Sequence, residues 1–147
     1  MSTSILSRLM FAAMFSLALF NTAIPDVFAA DIVIVANEGV PSNTLTQSLL
    51  KNIFMGKKTT WDNGQKIEFV ILEDSDAHKT FLKKYLQKSS SQFMNHWKRQ
   101  VFTGKGRLPK RFATEESLVN YVAGKDGAIG YVLSGTNTSK AKIIGID

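Results

Sequence analysis

Not one cysteine occurs in the 147 residues. That removes disulfides, thiolate nucleophiles, cysteine-held zinc and the lipid-attachment cysteine of a bacterial lipoprotein. A long hydrophobic run is also missing. A membrane span takes about 20 apolar residues, and the run Leu9 to Phe20 falls short of that. The chain has no internal repeat, no long linker, no serine-nucleophile motif and no metalloprotease signature. Gly104-Lys105-Gly106 lacks the serine or threonine that follows lysine in a nucleotide P-loop, and no long helix starts directly behind it. Asp74, Asp76 and His78 lie on a turn entering a helix, where they need not converge on a metal. These absences point to a non-catalytic protein without metal or cofactor.

What is present begins with an export pattern. Arg8 precedes the apolar run, Asn21 breaks it, and Val27-Phe28-Ala29 has the small-residue spacing of a signal-peptidase site. Residues 1–29 therefore read as a signal peptide and 30–147 as one small domain that is soluble and periplasmic, with no membrane span after processing. The hydrophobic share of 44% is that of a globular protein. The net charge of +6 survives processing, because Arg8 and Asp26 cancel within the removed segment. Export makes nucleic acid an unsuitable partner. The remaining uses of a basic surface are steering small anions, meeting an anionic envelope surface or an acidic protein, and plain solubility.

Strand and helix signals alternate. Asp31 to Ala36 is a β-branched run that reads as a central strand, ended by Asn37, Gly39 and Pro41. Leu45, Leu49, Leu50, Ile53 and Phe54 share a helical face, with Thr46 as N-cap and Gly56 as terminator. Asn63-Gly64 predicts a tight turn, after which Lys66 to Leu72 reads as a strand that ends buried. Phe81, Leu82, Tyr85 and Leu86 predict a helix capped by Ser75 or Asp76. Phe93, Trp97 and Val101 mark the buried stripe of a helix over Ser90 to Phe102, and His96 beside it is given no role. Trp61, next to a turn, reads as a core plug. Phe112-Ala113 closes a short strand, and Thr114 caps a helix carrying Leu118, Val119 and Val122 up to Gly124. Ala128 to Leu133 is a buried strand and Lys142 to Ile146 an edge strand. The fold class is α/β, a three-layer sandwich around a mostly parallel mixed sheet, with sites expected at the carboxyl ends of strands.

Two stretches have donors for an anion. The turn Glu73 to Lys79 enters a helix whose free N–H groups and dipole favour negative charge, and Ser75, His78, Lys79 and Thr80 add side-chain donors. Three acids sit beside them, so dipole complementation by Asp and Glu is the competing reading. The second is the glycine-rich basic loop Thr103 to Arg111, where Lys105 and Arg107 add charge to backbone that can approach a ligand closely.

Four segments taken together resemble the periplasmic phosphate-binding proteins of ABC transporters. They are Leu49 to Trp61, Phe69 to Phe81, Gly104-Lys105-Gly106 and Gly127 to Val132. The resemblance covers nearly all of residues 30–147 but only one lobe of a two-lobed, type II binding protein. It implies a solute-binding component for phosphate or a similar small oxyanion. In the family, one lobe contributes an arginine and a Ser-Gly-Thr turn at a helix start. Counting back from Phe81, these positions carry Glu73 and Ala77, His78 and Lys79, so the donor set differs. The alternative is an interaction or sensing module on the same scaffold, meeting a transporter or envelope protein. A homodimer is a further way to supply the missing lobe.

Overall fold

The computed structural model describes residues 31–147, so the expected signal peptide, residues 1–29, lies outside the described residues. Strand β1, Ile32–Ala36, takes the β-branched run into the middle of the sheet. The other strands are β2, Thr44–Leu45, β3, Glu68–Leu72, β4, Lys110–Phe112, β5, Ala128–Leu133, and β6, Lys142–Ile146. Their spatial order is β2-β6-β1-β5-β3-β4. β1 runs antiparallel to both neighbours, and the remaining pairings are parallel. Five strands therefore share one direction and β1 alone is reversed, a mostly parallel mixed sheet as the strand-helix alternation predicts.

Four helices cover the sheet. Helix α1, Gln47–Phe54, starts where Thr46 Oγ1 accepts the Leu49 N–H at 3.2 Å, and helix α2, Asp76–Phe81, starts at Ser75. α2 continues into a π-helical turn, Leu82–Leu86, that ends on Gln87 in the left-handed conformation. Helix α3, Ser90–Phe102, opens on a capping box of Ser89 and Gln92, and helix α4, Glu115–Gly124, on Thr114. The strand period of two divides the layers. Tyr131 of β5 packs against Phe54 of α1 and Phe81 of α2, whereas the adjacent Gly130 faces Leu118 of α4. Phe69 of β3 meets Phe54 and Trp97, which joins α1 and α3 to the same layer as α2.

Three expectations need correction. β6 is not the edge. The two-residue β2 covers it, with Gly145 donating to Asn43 O at 2.9 Å and Asp147 to Leu45 O at 3.0 Å. Leu45 accordingly belongs to β2 and not to the helix it precedes. Val101 is 42% exposed although Phe93 and Trp97 are buried. Each four-residue step along a helix overshoots a full turn by about 40°, and two steps rotate Val101 off the buried stripe. Trp61 is a core plug as expected, its Nε1–H donating to Gly127 O at 3.0 Å.

Gly127 makes the tight entry to β5. Its φ is +73°, and a Cβ there would stand 2.2 Å from the backbone oxygen of Lys66. Gly64 also has positive φ, +83°, but nothing lies within 4 Å of its missing Cβ. Gly127→Ala is expected to cost about 3 kcal/mol in urea unfolding, from left-handed strain plus a backbone clash. Gly64→Ala should cost about 1 kcal/mol, from strain alone.

Candidate functional site

At the carboxyl end of β3 the chain leaves Leu72, and the Glu73 N–H still bonds Phe112 O of β4 at 2.8 Å. The next three residues turn into α2. Ser75 Oγ accepts the His78 N–H at 3.2 Å, so this hydroxyl serves as the N-cap. Ala77 and His78 then turn inward, each only 4% exposed. His78 lies under the start of α3, its ring edge-on to Phe93 with centroids 6.0 Å apart.

A short relay orients that ring. Tyr131 Oη accepts the Leu72 N–H at 3.1 Å and stands 2.5 Å from His78 Nδ1. Burial pushes the Tyr131 pKa up, so the phenol keeps its proton. Nδ1 is the one acceptor within hydrogen-bond distance of that buried hydroxyl among the described residues, so the phenol proton goes to Nδ1 and the imidazole proton sits on Nε2. Desolvation lowers the His78 pKa, Arg111 and Lys79 lower it further, and Asp74 opposes them. His78 is thus a neutral donor at pH 7. Gln65 Oε1 is the one fully buried side-chain polar atom without a partner among the described residues. Nε2 therefore opens onto the cleft that His78 lines.

That cleft has a volume of about 360 Å³, within the range of small-ligand pockets. Asp74 and His78 form one wall, Arg111 of β4 another, and Ser90, Asn95 and Lys98 of α3 a third. Arg111 is in register with Ile71 of β3, which sets its side chain on the α3 face of the sheet. Among the described residues neither Lys98 nor Arg111 has a carboxylate partner. Asp74 is engaged, 3.9 Å from Lys79 Nζ and accepting from Ser90 Oγ at 3.2 Å. A free guanidinium, a free ammonium and a neutral imidazole N–H leave the cleft cationic and rich in donors, while the Ser90 proton is taken by Asp74. No group of three or more metal-ligating side chains occurs among the described residues.

The residues expected from sequence divide between two places. Ser75, His78, Lys79 and Thr80 cluster at the start of α2, with His78 in the cleft, Lys79 exposed and Thr80 half-buried. Lys105 and Arg107 are elsewhere, in a second cleft with Lys66 and Ile67 just before β3. α3 separates them. Its 13 residues span about 20 Å, carrying the following loop back to the amino end of the sheet. The loop glycines also have a different role. Gly104, φ +72°, ends α3, with its N–H on Val101 O at 3.1 Å, and a Cβ on Gly106 would lie 3.1 Å from the Trp97 ring. Lys98, Ser90 and Asn95 lie outside the two donor-rich stretches of the sequence, and Arg111 belongs to them only as the last residue of the basic loop. Their signal is the spacing of Ser90, Ser91, Met94, Asn95 and Lys98 along one helix face, and the strand alternation of Lys110, Arg111 and Phe112.

The His78 environment sets a pH dependence. Its folded pKa lies below the unfolded value, so the unfolded chain binds a proton first. Stability is full above about pH 6.5 and falls as pH drops toward the folded pKa. Urea midpoints are expected to fall from about pH 7 to about pH 5, and to fall less in His78→Asn, whose Oδ1 can accept from Tyr131 but does not titrate. Equal pH dependence in both proteins would disprove the role given to His78.

No curated protein is similar enough to match this chain. Solved structures are. An ABC-type phosphate transport receptor from Vibrio cholerae superimposes with a TM-score of 0.64 at 20% identity, covering 80% of this chain and 47% of its own. PstS from Borrelia burgdorferi gives 0.64 at 14% identity, with the same coverage. A phosphate ABC transporter substrate-binding protein from Clostridium perfringens, described with bound phosphate, gives 0.63 at 17%, covering 81% of this chain and 46% of its own. The chain spans about half the length of these proteins, the extent of a single lobe. The family profile described as PBP superfamily domain matches residues 12–145, and this protein belongs to that family.

Proposed function

We propose that this protein is a periplasmic solute-binding domain that holds phosphate or a similar small oxyanion in the cleft between α2, α3 and β4, in connection with ABC-type uptake. The observation that carries the reading is the pair of cations, Lys98 and Arg111, facing a cleft whose only carboxylate, Asp74, is already engaged. Arg111 is suited to bidentate contact with a tetrahedral oxyanion. His78 adds a neutral N–H, and Ser90 and Asn95 add further polar groups. Ser75 orders the turn, and exposed Lys79 pairs with Asp74 beside the cleft. Glu73 occupies the position at which the family carries arginine, yet it is exposed and stands outside the residues lining the cleft. An anion in the cleft therefore need not be buried against that carboxylate.

One lobe covers only one side of a ligand, so affinity depends on what closes the other side. A second copy of the chain or a transporter component would do so. An interaction or sensing module is the second reading, favoured by the replacement of the family's arginine and Ser-Gly-Thr turn by Glu73, Ala77, His78 and Lys79. Nothing in the first reading requires catalysis, a metal or a cofactor. Among the described residues no helix is long and apolar enough to cross a membrane.

Thermal unfolding with phosphate, sulfate or chloride at matched ionic strength separates the readings. Phosphate at 100 times its dissociation constant should add about 2.7 kcal/mol of stability. Arg111→Ala is expected to weaken phosphate binding about tenfold or more, and Lys105→Ala to leave it unchanged. Absence of any shift selective for phosphate or sulfate over chloride would reject the solute-binding reading.

A further inference from the structure

The second cleft, about 610 Å³ in volume, lies at the amino ends of β3 and β4. Four cations line it, Lys58, Lys66, Lys105 and Arg107, and a fifth at its rim, Lys110, holds its Nζ over the Tyr121 ring at 4.4 Å. Its single carboxylate, Glu68, is taken by the Tyr121 hydroxyl and by Lys125 Nζ at 3.5 Å. Lys58 shares an exposed pair with Asp62, and Lys66, Lys105 and Arg107 have no carboxylate partner among the described residues. Beneath the cations the floor is apolar, built from Trp97, Phe69 and Ile67. Trp97 is fixed there by its Nε1–H bond to Phe54 O at 3.1 Å, and Gly56 and Gly106 lie against its ring, where a Cβ would come within 2.6 Å and 3.1 Å. Leu108 on the wall is 53% exposed, and Phe102, where α3 runs into this loop, is 93% exposed.

We propose that this cleft receives an extended acidic segment of a partner protein carrying at least one large apolar side chain. Charge complementarity selects an acidic occupant, and the apolar floor together with exposed Leu108 and Phe102 rewards one with hydrophobic side chains. The sheet edge favours an extended backbone. β4 is the last strand, and Phe112 O bonds inward to Glu73 N–H, so the alternation along the strand turns the backbone N–H and C=O of Arg111 outward. An added strand pairs with that edge while its side chains enter the cleft. Free phosphate has no use for the apolar floor. The site is separate from the anion cleft, since Lys110 and Arg111, adjacent on β4, line different clefts.

The test is fluorescence anisotropy of the purified protein with a labelled peptide of alternating Glu and Leu, against a control peptide of alternating Lys and Leu. The Glu-Leu peptide is expected to bind and the control not to. Lys66→Glu combined with Arg107→Glu should weaken binding about tenfold or more, Leu108→Asp should weaken it independently, and Asn95→Ala, outside this cleft, should retain it. Urea midpoints report whether each variant is folded, and Lys105→Glu replaces any that is not. Equal binding of both peptides, or unchanged affinity in the charge-reversal variant, would overturn the proposal. So would displacement of the peptide by millimolar phosphate at matched ionic strength, which makes this a small-anion site. Binding to phosphatidylglycerol vesicles without binding to the peptide would likewise overturn it in favour of a membrane surface.

Discussion

The hydroxyl of Tyr131 is the hydrogen-bonding centre on which the candidate site depends. It joins three elements in the core: its own strand β5, the end of β3 through the Leu72 N–H, and α2 through His78. Each such bond contributes about 1 kcal/mol net, but a buried donor or acceptor left without its partner costs about 1–3 kcal/mol. The ring is held as firmly as the hydroxyl. It stacks on Phe81 with centroids 3.8 Å apart and planes 5° from parallel, and Phe54 packs against both rings. Aromatic packing thus fixes where the hydroxyl sits, and the hydroxyl fixes which nitrogen of His78 carries the proton.

Electrostatics follow from how the acids are used. Asp31, Asp62, Glu68 and Asp74 each lie within ion-pair distance of a lysine. Glu115 is occupied differently, accepting from the Leu133 N–H at 2.7 Å and from the Thr136 hydroxyl. Lys98 and Arg111 line one cleft and Lys66, Lys105 and Arg107 the other, each without a carboxylate partner among the described residues. An approaching anion meets two separated positive regions, each in a concave surface that focuses the field.

The two regions differ in what lies beneath the charge. In the α2–α3–β4 cleft polar side chains, His78, Ser90 and Asn95, alternate with the aliphatic Ile71, Leu72 and Met94, and no aromatic surface lies beneath the charge. At the other end the floor is an aromatic surface, which suits a ligand with hydrophobic side chains. Helix α3 connects them, because its first turns line one cleft and its last turn leads into the loop that walls the other. Movement of α3 along the sheet would alter both clefts together.

Local sequence was enough for most of the scaffold. Thr46, Ser75 and Thr114 cap the helices they were expected to cap, since the cap bond is made within three residues. Gly64 and Gly127 turn where positive φ is needed, and the β-branched run of β1 sits in the centre of the sheet. The sum of charge and the absence of cysteine chemistry are likewise properties of the chain itself. The sites were only half legible. The start of α2 was visible as a donor-rich turn, but local spacing does not reveal that His78 points at Tyr131, 53 residues away. Nor does it reveal that a helix of 13 residues carries Lys105 and Arg107 away from that turn into a second cleft. Tertiary structure decided which cations share a cleft, because register between β3 and β4 brings Arg111 to Ile71. It also decided that β6 is covered by β2, a pairing across about a hundred residues that no local pattern encodes. Short-range chemistry specified the elements, and packing between distant segments determined which side chains meet.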